Sequence, residues 1–415
     1  MEICIFQTGE PLHIDKGNYR PMRCMLLADS LIEKGHNVKI ISTAFFHQRK
    51  IHRAKNFKIY KINKNLSIYL IPSIGYKKHI GLKRVLDHFI LALNLSFFLK
   101  DNKGFKPDKL FIGYPPILSC FVIAFWCKKN NIPYMLDVKD KWPEIFLEPF
   151  SKNIKAFMRI ILEPYYFCSR YIFKNASQIT SITDEYIYWI REFYKEKKIH
   201  KKYFISPLIR KPLILDIIQS KTAKNFWDKH NINISKTKYF CFIGSYSKSF
   251  DFDFIYKSAV YVQKKHPKIK FIICGSGDQY EKVRNKFQNS PNVLVLGEID
   301  KYNAKFLIKF ALATLAPYLN NPNFNDHIPN KIIESLENST PFITTVEGKL
   351  KSIIDKYKNG IFIKNIESLD LSAYEKLIVD SDYQKYLSIN AGKSYKKLFN
   401  FERTFQKIIN KLEKM

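Results

Sequence analysis

Phe271-Ile-Ile-Cys-Gly-Ser-Gly277 is an apolar strand that runs directly into a G-x-G turn. Apolar runs of this length alternate with segments of helical periodicity along the whole chain, which is typical of βαβ units built around a parallel sheet. The same half of the chain contains further predicted strands near 238–243, 293–296, 312–316, 341–344 and 361–363. We therefore predict a doubly wound α/β domain in the second half.

The first half repeats this alternation from its first residues. Residues 21–34 carry apolar side chains at helical spacing, and Gly35 follows them as the residue that would cap the helix. The predicted strands of this half lie at 2–6, 37–42, 68–72, 109–112, 133–137 and 178–181. The sequence thus predicts two Rossmann-like domains, each with a doubly wound parallel sheet.

The length of the chain agrees with two domains. At 415 residues it exceeds the size at which a single hydrophobic core keeps growing. The alternation breaks between residues 205 and 236, and we place the domains at 1–205 and 206–398. Residues 399–415 form an amphipathic helix with no strand after it, which we expect to cross back to the first domain.

The chain is strongly basic, with 69 Lys and Arg against 37 Asp and Glu and a formal net charge of +32. Such a field attracts anions, which can be nucleic acid, acidic lipid head groups or phosphorylated small molecules. Part of the excess also fits a general enrichment in Lys, Ile, Asn, Phe and Tyr. Charge by itself therefore does not choose among these partners.

Several features predict a cytoplasmic protein. The seven cysteines are odd in number, lack any C-x-x-C pair and lie mostly inside apolar runs, which is the pattern of reduced thiols. Residues 2–6 form a predicted strand, and no signal sequence precedes it. The apolar run 111–127 is interrupted by Gly113, Pro115 and Pro116, and we expect no membrane-spanning helix.

The most informative stretch for function is Asp326-His-Ile-Pro-Asn-Lys-Ile-Ile-Glu334. Pro329 suits the first turn of a helix, which places Asn330 and Lys331 at a helix N-terminus, where backbone N–H groups and the dipole bind phosphate. Glu334 follows one turn later, where a carboxylate can accept hydrogen bonds from ribose hydroxyls, and Asp326 can reach a second sugar. The alternative is an ordinary helix start with solvated charges.

This stretch resembles the E-x7-E signature of retaining GT-B glycosyltransferases, particularly of glycosyltransferase family 4, with Asp326 in place of the first glutamate. The resemblance implies two Rossmann-like domains that face a central cleft. It also implies that Asp326 contacts the transferred sugar and that Glu334 contacts the nucleotide ribose. These two carboxylates are the predicted catalytic pair, although an aspartate reaches one methylene less far than a glutamate.

Three loops of the second half fit the same resemblance. The first follows the strand 240–243 and looks like the family's phosphate loop, the second is the G-x-G turn, and the third looks like the loop whose backbone meets the nucleotide base. Family members often carry Arg after the glycine of the first loop, where this chain has serine, and we expect Lys248 to face the diphosphate. The predicted donor-binding residues are Gly244, Ser245, Lys248, Gly275, Gly277, Ile299, Asn330 and Lys331.

Two loops of the first half look like the family's acceptor side. Residues 17–23 place flexible backbone and two arginines before a predicted helix. Asp137-Val-Lys-Asp-Lys-Trp-Pro-Glu144 follows a predicted strand and is similar to the D-x-R-D-x-W-P-E stretch of bacterial surface-polysaccharide glycosyltransferases. A solvated loop is the alternative for this charged turn. Asp137 and Asp140 are the candidates for catalytic contact with the acceptor, and the predicted acceptor-binding residues are Gly17, Asn18, Arg20, Arg23 and Lys139.

Asp251-Phe-Asp253 mimics the D-x-D metal motif of other glycosyltransferases. It lies where a helix is predicted to begin, so we expect these carboxylates to cap the helix and compensate its dipole. The histidines show no zinc-binding spacing. We therefore expect departure of the diphosphate to rely on electrostatic stabilisation, without a metal or another cofactor.

Two stretches predict contact with a membrane surface. Residues 77–109 and 145–175 combine Lys and Arg with apolar and aromatic side chains, as interfacial helices do. Ordinary core helices with extended basic side chains are the alternative.

The residues and the resemblance together predict a peripheral enzyme on the inner face of the cell membrane. It would transfer an N-acetylhexosamine or a deoxy-amino sugar from a UDP-sugar to a lipid-linked or saccharide acceptor with retention, in the assembly of O-antigen or capsule. One alternative is a nucleotide-sugar 2-epimerase of the same fold. Another is a basic nucleic-acid-binding protein, although the charge is spread through βα units instead of a reader module.

Overall fold

The structure is a computed structural model that describes residues 1–17, 21–77, 81–148, 150–193, 202–319, 325–364 and 372–415. The chain divides into two compact units. The first unit comprises Met1–Arg210 together with Phe401–Met415, and the second comprises Lys211–Asn400. The first unit thus contains both the beginning and the end of the chain.

The described residues of the first unit form an eight-stranded sheet and a short hairpin. The strands are β1 (Glu2–Phe6), β2 (Asn37–Thr43), β3 (Phe45–Phe46), β4 (Ile51–His52), β5 (Lys58–Asn63), β6 (Leu66–Ile71), β7 (Lys109–Tyr114), β8 (Tyr134–Val138), β9 (Gln178–Ser181) and β10 (Tyr203–Ile205). Their order in the sheet is β10-β9-β8-β7-β1-β2-β6-β5, while β3 pairs with β4. All neighbours in the sheet are parallel except β5, which runs antiparallel to β6.

The central strands are apolar on both faces because helices cover both sides of the sheet. In β1, the side chains of Ile3, Cys4, Ile5 and Phe6 are completely buried. The helices of this unit are α1 (Arg23–Glu33), α2 (Leu82–Asp101), α3 (Ile117–Lys129), α4 (Lys152–Ile161), α5 (Glu163–Asn175) and α6 (Asp184–Phe193), with a 3-10 turn at Glu144–Leu147.

The described part of the second unit contains six parallel strands. They are β11 (Tyr239–Ile243), β12 (Lys270–Cys274), β13 (Val293–Leu296), β14 (Ala313–Ala316), β15 (Phe342–Thr344) and β16 (Gly360–Phe362), in the order β13-β12-β11-β14-β15-β16. The helices are α7 (Ile217–Lys229), α8 (Phe252–Lys265), α9 (Tyr280–Phe287), α10 (Lys301–Phe310), α11 (Asn330–Glu337), α12 (Lys349–Tyr357), α13 (Ser372–Val379) and α14 (Ser381–Leu398).

Each sheet has a switch point, from which the chain builds the sheet first towards one edge and then towards the other. In the first sheet this point lies between β1 and β7, and in the second it lies between β11 and β14. In open α/β sheets, ligands bind outside the carboxyl ends of the strands at such a switch point. We therefore expect functional side chains in the loops that follow these four strands.

The last helix, α15 (Phe401–Glu413), packs on the first unit. Ile408 and Leu412 are completely buried on its inner face. At its end, Glu413 lies 3.0 Å from His36 Nε2, and its backbone carbonyl accepts a hydrogen bond from Lys109 Nζ at 2.8 Å. These contacts fix the helix next to α1 and β7.

All seven cysteines lie within the described residues and are free, and six of them are buried. Among the described helices, none combines the length and the hydrophobicity that crossing a bilayer requires.

Candidate functional site

The loops after β11 and β12 are packed backbone against backbone. The N–H of Gly244 donates to the carbonyl of Cys274 at 3.0 Å. A Cβ at Gly275 would overlap the carbonyl oxygen of Gly244, and a Cβ at Gly277 would overlap that of Tyr246. The G-x-G turn is therefore required for the close approach of the two loops, beside the switch point of the second sheet.

Lys331 lies in the first turn of α11, and its ammonium is buried against aromatic rings. Nζ lies 4.0 Å from the ring centroid of Phe242, 3.9 Å from that of Phe250 and 5.3 Å from that of Tyr318. A Cβ on Gly244 would come 2.5 Å from Nζ, which places the ammonium directly beside the first loop. Among the described residues, Nζ has no hydrogen-bond acceptor.

Burial of an ammonium group without a hydrogen-bond acceptor is unfavourable, and it lowers the pKa of the lysine. Burial lowers the pKa of Lys331 to about 7, although the nearby carboxylate of Glu334 opposes the shift. The three aromatic rings attract the cation and hold it in place. Anionic oxygens from a ligand would supply the acceptors that the described residues do not.

The N-terminus of α11 lies at this position. Pro329 is the N-cap residue, with φ −63° and ψ 147°, and the helix begins at Asn330, one residue later than a start at proline would give. No side chain among the described residues caps it. The N–H groups of Asn330 and Lys331 therefore lie at the positive end of the helix dipole, next to the buried ammonium.

The two predicted catalytic carboxylates lie on either side of this helix start. Both are half-exposed. Burial and the negative charge of Glu334 raise the pKa of Tyr318, so this carboxylate lies close to the aromatic surroundings of Lys331. Asp326 follows Asn325, whose carbonyl oxygen would be overlapped by a Cβ at Gly348. Gly348, at φ +74°, therefore supports the segment that carries Asp326, and no sequence pattern had indicated it.

The remaining predicted donor residues lie around this centre. Ser245 and Lys248 are exposed, and Lys248 lines a separate hollow of about 300 Å³ together with Asp251 and Asp253. Lys248 is not among the groups that surround the Lys331 ammonium. Ile299 is half-buried and packs on the core of the second unit below β13.

The D-x-D stretch is occupied by structural contacts. Asp251 Oδ1 accepts a hydrogen bond from the N–H of Phe254 at 3.0 Å and caps α8, as predicted. Asp253 forms an ion pair with Lys286. Within the described ranges, no group of three His, Cys, Asp or Glu side chains is placed to hold a metal ion.

A cavity of about 250 Å³ lies at the switch point of the first sheet. Its walls come from the loops after β1, β2, β7 and β8 and from α2. Glu10, Tyr114, Lys139, Asp140 and Trp142 are among the lining residues. The first unit thus places the predicted acceptor loop at the edge where a ligand is expected to bind.

Two predicted acceptor residues are buried in an ion pair beneath this cavity. Arg23 Nη1 donates to Asp137 Oδ1 at 2.6 Å, and Nη2 donates to the carbonyl of Ser206 at 2.6 Å. The side chain of Asp137 is 0% exposed and that of Arg23 is 3% exposed. Neither side chain offers surface to a ligand in this structure, and contact of Arg23 or Asp137 with an acceptor stays a prediction. Their role is to fix the end of β8 to α1.

Lys139 lines the cavity but is already engaged by carboxylates. Nζ forms an ion pair with Glu10, donates to Gln7 Oε1 at 2.9 Å and lies 3.5 Å from Asp137 Oδ2. Burial lowers the pKa of Lys139, but the carboxylates of Glu10 and Asp137 outweigh this effect and raise it, so the lysine stays charged. Asp140 is exposed at the cavity wall, which makes it the accessible carboxylate of the predicted pair.

The glycine-containing acceptor loop is described only in part. Gly17 is exposed and has φ +128°. The predictions for Asn18 and Arg20 fall outside the described residues.

Three basic residues of the cavity were not predicted. His47 follows β3, and Arg84 and His88 lie one helical turn apart on α2. Their spacing in the chain forms no motif, because the tertiary structure alone brings the β3–β4 hairpin to α2. The one local signal is the i, i+4 pair of basic residues on the predicted 77–109 segment.

Comparison with protein families gives a match over part of the chain, whereas comparison with curated protein sequences gives none. Residues 224–394 match the family described as Glycosyl transferases group 1. The matched range includes β11 to β16 and most of the second unit.

Solved structures are similar over the whole chain. Sucrose-phosphate synthase from Thermosynechococcus elongatus has a TM-score of 0.65 at 12% identity and covers 99% of this chain and 97% of that chain. HepE from Anabaena in complex with UDP-glucose has a TM-score of 0.61 at 11% identity, with 100% of both chains covered. WaaG, a glycosyltransferase involved in lipopolysaccharide biosynthesis, has a TM-score of 0.62 at 13% identity, with 99% of both chains covered. At these identities the similarity shows a common fold.

The fold and these comparisons define the protein as an enzyme, a glycosyltransferase of the GT-B fold. Within that class, the second unit carries the match to glycosyl transferases group 1, and the predicted fold class is confirmed.

Proposed function

We propose that the protein transfers a sugar from a UDP-sugar, bound by the second unit, to a lipid-linked saccharide bound by the first unit, with retention of configuration. One observation carries the donor assignment. The buried Lys331 ammonium has no hydrogen-bond acceptor among the described residues, and it lies beside Gly244 at a helix N-terminus that no described side chain caps. The oxygens of a diphosphate would satisfy both Nζ and the N–H groups of that helix.

The other donor contacts follow from this position. Glu334 binds the ribose hydroxyls one turn along α11, and Asp326 binds the transferred sugar. The backbone at Ile299 meets the base. Lys331 and the helix dipole stabilise the charge that develops on the departing diphosphate, without a metal. The structure of HepE in complex with UDP-glucose supports a nucleotide-sugar donor.

On the acceptor side, Asp140 is the accessible carboxylate of the cavity and contacts the acceptor hydroxyl. Arg23 and Asp137 position the strand end behind it. The transferred sugar is an N-acetylhexosamine or a deoxy-amino sugar, and the product belongs to a cell-surface polysaccharide. The role of WaaG in lipopolysaccharide biosynthesis supports this kind of pathway.

The enzyme binds to the cytoplasmic face of the membrane through α4. None of the ten residues of this helix is buried. Phe157 and Ile160 are 63% and 74% exposed, and Lys155 and Arg159 lie on the same helix. Exposed apolar side chains next to cations match the boundary of an anionic bilayer. On α2, Leu82 is an exposed apolar residue as well.

The donor assignment is tested by Glu334→Gln in a transfer assay with a panel of UDP-sugars. We expect the rate to fall roughly 100-fold, because an interaction with the bound donor is lost. Glu281→Gln, at an exposed position of α9, is the matched control and should retain full activity. Activity of Glu334→Gln within a few-fold of wild type would remove the assignment. Conversion of the donor without any acceptor would identify a 2-epimerase instead.

A further inference from the structure

The cavity of the first unit is lined on one side by basic residues that have no part in the proposed function so far. His47, Arg84 and His88 line it, and Lys50 lies behind His47, with its Nζ 3.3 Å from Nδ1 of that histidine. These side chains come from the β3–β4 hairpin and from α2. The fold therefore gathers four basic groups at one end of a cavity of about 250 Å³.

Two aromatic rings hold the basic groups in position. The guanidinium carbon of Arg84 lies 5.1 Å from the ring of Trp142 and 5.6 Å from that of Tyr76. Lys50 Nζ lies 4.6 Å from the ring of Tyr76, whose hydroxyl is 2.5 Å from His47 Nδ1. The rings of His88 and Trp142 lie 5.7 Å apart. Such contacts fix the geometry of the basic side chains.

A carboxylate lies on α2 between these basic residues. Asp87 lines the cavity as well, but it is buried and its Oδ1 accepts a hydrogen bond from the N–H of Gly75 at 2.6 Å. Burial, together with the positive charges of Arg84 and His47, lowers the pKa of His88 to about 4. Burial and Arg84 likewise lower the pKa of Lys50. Arg84 thus disfavours the charged forms of His88 and Lys50, and a bound anion would offset this effect.

A helix N-terminus reaches the same cavity. Pro116 lines the cavity and is the N-cap residue of α3, which is 13 residues long. Within the described residues, no side chain caps this helix. The positive end of its dipole therefore adds to the field of the basic side chains.

We propose that Arg84, His47 and His88 bind a phosphate or diphosphate group of the acceptor, with the acceptor sugar ring directed towards Asp140. This inference rests on the proposed glycosyl transfer and names its acceptor class, a glycosyl phosphate or diphosphate. The phosphate can belong to a soluble sugar phosphate or to a prenyl diphosphate carrier. Exposed Leu82 and Phe89, which flank Arg84 and His88 on α2, match the carrier.

Calorimetric titration of the full chain with inorganic pyrophosphate tests the site. Saturating UDP is present, so that the second unit is already filled. We expect one pyrophosphate to bind per chain, with affinity falling roughly tenfold in Arg84→Gln because a hydrogen bond to a charged group is lost. Lys129→Gln, an exposed position on α3 with the same charge change, should leave binding unchanged.

An equal loss of pyrophosphate affinity in Arg84→Gln and Lys129→Gln would overturn the proposal, because it would show only the general attraction of an anion to a basic protein. Thermal unfolding of each variant verifies folding. If Arg84→Gln does not fold, His88→Asn provides the same comparison. UDP binding, measured separately, reports on the donor assignment, so the failure of either proposal is distinguishable from that of the other.

The source of the phosphate is decided by two further probes, glucose 1-phosphate and farnesyl diphosphate. Tighter binding of farnesyl diphosphate than of pyrophosphate, sensitive to Arg84→Gln, supports the site and assigns a lipid carrier. Tighter binding of glucose 1-phosphate supports it and assigns a soluble acceptor. Lack of Arg84-dependent binding by all three probes would refute the site.

Discussion

Lys331 Nζ occupies the space that the absence of a side chain at Gly244 leaves open, since a Cβ on Gly244 would approach Nζ to 2.5 Å. The two residues are 87 positions apart in the chain and come from either side of the β11–β14 switch point. A glycine in the first loop and a lysine in α11 thus lie together at the proposed donor site. We expect substitutions of the glycines and of the lysine to have different effects on stability.

Gly275→Ala should destabilise the second unit by about 2–4 kcal/mol, because the new Cβ meets the backbone oxygen of Gly244 and not a movable side chain. Gly297→Ala is the matched control in the neighbouring loop, where no described atom lies within 4 Å of the added Cβ. Its effect should stay within about 0.5 kcal/mol. Urea unfolding measures both, and equal losses would contradict the backbone contact.

Lys331→Met should stabilise the ligand-free protein while abolishing UDP binding, because methionine suits the aromatic surroundings and needs no acceptor. The folded protein releases the lysine proton near pH 7, whereas the unfolded chain keeps it to about pH 10.4. Wild-type stability therefore rises with pH between these values, and the advantage of the variant should be largest at pH 7 and below. Thermal unfolding from pH 6 to pH 10 measures this difference. Exposed Lys257→Met is the control, and a pH-independent difference would contradict the prediction.

UDP binding should take up a proton above pH 7. A diphosphate next to Lys331 restores the charged form, so affinity is greatest below the ligand-free pKa of about 7 and falls as pH rises through it. Calorimetry at pH 8 in buffers of different ionisation enthalpy measures the uptake. In Lys331→Arg the guanidinium stays charged, and the uptake should disappear. Identical proton uptake in the two proteins would place the titrating group elsewhere.

Phe157→Ser combined with Ile160→Ser should weaken flotation with anionic vesicles several-fold, because each removes apolar surface from the lipid contact. Binding of wild type should also fall when anionic lipid is omitted or salt is added. Ile218→Ser, 76% exposed on α7 of the second unit, is the control. If it weakens binding as much as the α4 variant, α4 is not the contact.

The sequence predicted the parts of the fold and the site that local patterns encode. Apolar runs buried on both faces marked the central strands, whereas β5 was missed because its Lys58–Asn63 segment is mostly exposed and has no continuous apolar run. The helix start at Asn330 and Lys331 was predicted from adjacent residues. The burial of Asp137 was not, because its partner Arg23 lies 114 positions earlier. His47 and Arg84 were not predicted for the same reason, because they are far apart in the chain and only tertiary contacts bring them together.

Because α15 belongs to the first unit, the second unit is inserted into the first along the chain. During synthesis, residues 211–400 leave the ribosome before the helix that completes the first unit has been made. The second unit can therefore reach its native state while the first unit still lacks the helix that completes its core. Truncation before Phe401 should destabilise the first unit and leave the second unit folded. In a circular permutant that joins α15 to the N-terminus, each unit would be continuous in the chain. Each unit could then be produced alone.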